Sequence, residues 1–169
     1  MKKKLSILSI LILLTIPIFS QNMVSSLMNE IAPENQKDIM QINISGKMLS
    51  LTAKNDKDID AETKELFQSI EKISVAIGLP VNEKLNRQLQ KHLVSHEELM
   101  SIVENKLDIR MYIKETKGQI AEFVLCAIGD DSMMLMSITG KIDLDKLANL
   151  SKNVKIEGME HLGKIKKEK

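Results

Sequence analysis

The most constraining stretch of this chain is the run from Ile120 to Ile128, which has the length of a strand and is apolar on both faces. Phe123, Leu125 and Ala127 fall on one side, and Val124, Cys126 and Ile128 on the other. Successive strand residues point to opposite faces, so a strand of this kind is central in its sheet and covered on both sides. Its neighbours supply partners. Leu107 to Glu115 alternates, with Ile109, Met111 and Ile113 against Arg110, Tyr112 and Lys114. Leu99 to Glu104 and Met133 to Thr139 have strand length and apolar content. Turn chemistry separates these runs at Asn105-Lys106, Thr116-Lys117-Gly118 and Gly129-Asp130-Asp131-Ser132. The pattern predicts an antiparallel meander whose last strand ends at Gly140. Asp143 then caps a helix carrying Leu144, Leu147, Ala148 and Leu150, a stripe able to dock on the sheet.

Upstream, helical and strand periods mix. Met23 to Ile31 reads as a short amphipathic helix, and Ile39 to Ser45 as a half-buried strand. Gly46 to Lys54 and Ala61 to Glu71 read as helices around a polar loop, Asn55 to Asp60. Lys72 to Gly78 is a strand broken by Pro80, and Asn82 to Val94 a helix with Leu85, Leu89 and Leu93 at spacing four. This order predicts an α+β fold: a single domain with a mainly antiparallel sheet of about five to six strands, a C-terminal meander, and helices packed on the sheet. The strand–helix–strand unit between Met40 and Ile77 is open to a parallel or a split pairing.

The start of the chain has the pattern of a secretory signal peptide. Met1-Lys2-Lys3-Lys4 is a basic segment, Leu5 to Phe19 is apolar and interrupted by Pro17, and Ser20 is a small residue before Gln21. The expected organisation is a leader over residues 1–20, a single domain over 21–163, and a charged tail over 164–169. Cleavage near Ser20/Gln21 would leave a periplasmic or otherwise exported protein with no stable membrane insertion. The alternative is a retained anchor, for which the apolar run is short. No cysteine lies near the cut, which excludes a lipid anchor there.

The formal net charge is +1, and the chain has one Tyr, three Phe and no Trp. It lacks both the basic footprint and the stacking aromatics of a nucleic-acid binder. The single cysteine, Cys126, cannot form an intramolecular disulfide and reads as a small buried hydrophobe.

Four groups of residues are candidates for chemistry. Asp56, Asp58 and Asp60 have the spacing of a calcium loop, but Ala61 and Phe67 stand where that loop needs Gly and Glu, so they read as a solvated loop. His92 and His96 are four apart, yet Met100 stands where an H-E-x-x-H motif would place its second histidine. They read as two surface histidines. Met133, Met134 and Met136 do not make a soft-metal set, because Met133 and Met134 point to opposite faces. Ser132 and Ser137 lack G-x-S-x-G context, and none of His92, His96 and His161 forms a recognisable catalytic pairing. No catalytic, cofactor-binding or metal residue is therefore assigned, and no cofactor is implied.

Several stretches carry a family likeness. They are E-E-L-M at Glu97 to Met100, K-E-x-x-x-x-I-A-E-F-V-L at Lys114 to Leu125, S-I-T-G-K-I-D-L-D-K-L-A-N-L-S-K at Ser137 to Lys152, and I-E-G-M-E-H-L at Ile156 to Leu162. Together they resemble the secreted bacterial DUF4252 family, a domain of unknown function, over roughly Met23 to Leu162. The resemblance implies an exported envelope protein with no assigned activity, cofactor or catalytic residue. The combined expectation is a non-catalytic binding or interaction domain acting on an envelope protein or small ligand. The alternatives are a carrier of a small apolar ligand and an enzyme with an unrecognised site.

Overall fold

Each helix begins where a short polar side chain can take up the unpaired N–H groups of its first turn. Asn22, Ser45, Asp60, Asn82 and Asp143 do this for α1 (Met23–Glu30), α2 (Gly46–Asn55), α3 (Ala61–Ser69), α4 (Glu83–Leu93) and α5 (Leu144–Asn153). The computed structural model describes residues 22–31, 38–104 and 106–153. The expected leader, the charged tail, His161 and the turn residue Asn105 lie outside the described residues.

Among the described residues six strands form one sheet: β1 (Met40–Ser45), β2 (Ile70–Pro80), β3 (Glu97–Glu104), β4 (Leu107–Thr116), β5 (Gln119–Ile128) and β6 (Ser132–Ile142). Their order is β1-β2-β6-β5-β4-β3, and every neighbouring pair is antiparallel. The fold is thus α+β, with the expected meander from β3 to β6. As its double apolar pattern requires, β5 is interior, between β4 and β6.

The sheet is the middle of three layers. On one face, α1 and α4 bury Val24, Leu27, Leu85 and Leu89 against Leu79, Val124, Cys126 and Leu135. On the other, Leu66 of α3 and Leu147 of α5 join Met111, Phe123, Leu125 and Ile138, with Leu49 of α2 at the margin. Met133 belongs to the first cluster and Met134 to the second, the opposite-face placement their adjacency demands. Cys126 is buried mid-strand, and burial pushes its thiol up to about 12.

Three expectations are corrected. The unit between Met40 and Ile77 is not parallel: β1 and β2 are antiparallel neighbours. A single crossover helix carries a chain back to start a parallel strand. Here α2 leads away and α3 returns, so β2 starts at the end where β1 stopped. Nor is β1 half-buried. It lies at the margin of the sheet, outside both core clusters, and five of its six residues are exposed. Gly140, finally, does not end the last strand, which runs on to Ile142. It sits opposite Ile70 at an irregularity in the ladder with φ of 143°, and a Cβ there would collide with the Ser69 carbonyl oxygen. Only glycine lets β6 pass this close to the start of β2. The hairpin turns follow expectation, with positive φ at Lys106, Lys117 and Gly118.

Candidate functional site

In β5 a single charge, Glu122, interrupts the apolar run, and the ladder places it opposite Lys114 on β4 and Thr139 on β6. Its carboxylate is buried yet fully engaged. Glu122 Oε1 accepts from the Met23 backbone N–H at 2.7 Å and from Ser137 Oγ at 2.5 Å. Glu122 Oε2 lies 3.3 Å from His96 Nε2. Burial pushes this carboxyl up, but the bonds from His96, Met23 and Ser137 outweigh burial and hold it below the ordinary glutamate value. The Met23 N–H belongs to the first turn of α1, where the helix dipole also favours a negative charge.

Beside this cluster, Asn22 Nδ2 donates to Ser74 Oγ at 2.8 Å, Ser74 donates to Asn43 at 2.7 Å, and Lys72 Nζ donates to Ser25 Oγ at 2.7 Å. The start of α1 is thereby tied to β1, β2 and β5 through polar groups.

His96 departs from the surface reading. Its side chain is only 3% exposed, and its buried Nδ1 has no partner among the described residues. It comes just before β3, and the Glu122 carboxylate draws it inward. His92 is half-buried and pairs with Glu30 at 2.9 Å. The two histidines therefore do not converge, and among the described residues no group of three or more His, Cys, Asp or Glu is placed to hold a metal. The calcium-like aspartates serve their own backbone. Asp60 caps α3 through the Thr63 N–H, and Asp56 accepts from the Asp58 N–H.

A cavity of about 260 Å³ opens at His96 and Glu122, also bordered by Lys91, His92, Ser95 and Lys114. Ser137, Glu122 and His96 have the membership of a hydrolytic triad but not its order. A serine nucleophile needs the histidine against its hydroxyl, to take its proton. Here the acid stands between them, and the Ser137 hydroxyl donates to the carboxylate. The arrangement is a buried anchor that joins β5, β6, α1 and the start of β3, its carboxylate satisfied and His96 Nδ1 left over. Motif and spacing alone do not mark Glu122 or its pairing with His96. The one signal is a lone charge in a strand apolar on both faces.

The other candidate surface is an outer strand. Among the described residues β1 has β2 on one side only, and it carries no charged residue: Met40, Gln41, Ile42, Asn43, Ile44 and Ser45. Met40 is 54% exposed and Ile42 40%, on the face shared with Val75 and Ile77. On α2, Met48 and Leu51 are also exposed, three residues apart and so on one side of the helix. The opposite outer strand, β3, carries Glu97, Glu98 and Glu104. Proteins protect free edges with charge, because an unpaired row of N–H and C=O groups recruits other strands. That protection is present on β3 and missing from β1.

No helix among the described residues is long and apolar enough to cross a membrane. Neither a curated protein nor a solved structure matches the chain. A family model does match, over residues 33–150, a range that contains the whole sheet, Glu122, His96 and Ser137 and begins after α1. The chain belongs to the family described as Domain of unknown function (DUF4252).

Proposed function

We propose that this chain is an exported, non-catalytic binding domain that takes an extended segment of a partner onto the open edge of β1. The observation that carries the reading is the uncharged and exposed β1 itself, with Met40 and Ile42 bare on it and Met48 and Leu51 exposed on the helix that follows it. Strand addition supplies affinity through main-chain hydrogen bonds and specificity through alternate side chains. Export rests on the leader pattern of residues 1–20, and with it the partner belongs to the cell envelope.

The test is a photoreactive benzoylphenylalanine placed at Gln41 in the full chain, produced in cells and irradiated. The control carries it at Ser101 on β3. A covalent adduct from position 41 and none from position 101 is the expected result. Adducts from both positions alike, or from neither, overturn the proposal.

A further inference from the structure

We infer that the occupant of the β1 edge is a second copy of this chain, joined antiparallel about a two-fold axis at Ile42. The inference rests on the strand-addition reading and names its partner.

The register follows from the alternation of β1. Pairing with β2 puts Met40, Ile42 and Ile44 on the face of Ile77, Val75 and Ile73, and Gln41 and Asn43 on the other. A two-fold axis normal to the sheet at Ile42 keeps those faces. It sets Ile42 opposite Ile42 of the second copy, Met40 opposite Ile44, and Gln41 opposite Asn43. Every apolar side chain meets an apolar one, and every amide meets an amide. Directly opposite residues in an antiparallel pair are close enough to pack or to hydrogen-bond.

Charge selects this edge for self-pairing. A two-fold axis brings any charge on an edge against its own copy or close to it, and β1 has none to bring. β3 paired with itself would set its glutamates against like charges. The same contrast closes the assembly. Two copies joined at β1 form one continuous sheet whose outer strands are both β3, each guarded by glutamates, so the association is isologous and stops at two.

The experiment is oxidative cross-linking of Ile42→Cys in the full chain, with Val103→Cys on β3 as the control. The native Cys126 is buried and does not compete. Ile42 and Val103 are both exposed, so neither substitution disturbs the core. The expected result is a disulfide-linked dimer from Ile42→Cys and monomer from Val103→Cys. A folded Ile42→Cys chain that stays monomeric under oxidation overturns the inference, as does equal cross-linking of both variants. Native mass spectrometry of the unsubstituted chain gives a second measurement: a dimer supports the inference, and a monomer at the highest soluble concentration overturns it. The photo-adduct at position 41 separates the two levels. An adduct of twice the chain mass supports both. An adduct with a different protein overturns the second copy and leaves strand addition standing. No adduct removes both.

Discussion

The two outer strands of this sheet are built on opposite plans. β3 is guarded by three glutamates, and the residue just before it, His96, reaches inward to the buried Glu122. β1 carries no charge, and Asn43 ties it to Ser74 of the neighbouring strand at 2.7 Å. One edge is closed to other strands and anchored to the core. The other carries no charge and is held by its ladder with β2. The two edges differ in charge and in anchorage, although both are strands of ordinary length and mixed polarity.

The strongest way to break the comparison is to remove the anchor. Glu122→Ala leaves the Met23 N–H, Ser137 and His96 without their acceptor, and breaking a buried pair of this kind costs about 3 kcal/mol or more. Urea denaturation should show that loss. Hydrogen exchange should show β3 amides losing protection while those of β1 keep theirs. Equal loss at both edges would show that His96 does not anchor β3.

Acid should act on the same anchor. The folded-state pKa of Glu122 is depressed, so its contribution to stability is complete above the ordinary glutamate value. It is lost as pH falls through that value toward the folded-state one. Stability measured by denaturation should therefore fall more steeply with acid in the native chain than in Glu122→Gln, which cannot ionise. Parallel pH profiles would count against an ionised Glu122.

The smallest effect on stability is expected at the edges themselves. Ile42→Lys and Val103→Lys alter exposed side chains, so at concentrations low enough for the chain to be monomeric each should shift unfolding by no more than about 0.5 kcal/mol. They should differ in association. Sedimentation velocity should show Ile42→Lys abolishing self-association and Val103→Lys leaving it intact. Identical behaviour of the two variants would erase the distinction between the edges.

The sequence made some of this visible and hid the rest for definite reasons. The meander was legible because its partners are neighbours in the chain and its turns use residues that accept positive φ, as Lys117 and Gly118 do. The interior place of β5 was legible because both of its faces are apolar. The pairing of β1 with β2 was not, since it depends on α2 and α3 returning the chain, a tertiary outcome that no local period records. Gly140 looked like a terminator because glycine usually punctuates, whereas its task is to let two backbones approach. His96 and Glu122 lie 26 residues apart, so neither marks the other in the sequence. The exposure of Ile42 was hidden as well, because a strand alternates in the same way whether its apolar face is covered or bare.

The strand order has a consequence for how the chain assembles in time. β1 and β2 form one unit of the sheet and β3 to β6 another, and the ladder between them is that of β2 with β6. That seam joins residues about sixty positions apart, and closing a loop of this length is slow compared with forming hairpins. Until β6 is made, the backbone groups along one edge of β2 lack their partner strand, and the only charged residues of β2, Glu71 and Lys72, stand near its start. A chain lacking β6 would therefore expose an edge of β2 in addition to that of β1. Synthesis of the last strand closes it, so truncation before residue 132 would leave a chain that is both incomplete and prone to pair with its own kind.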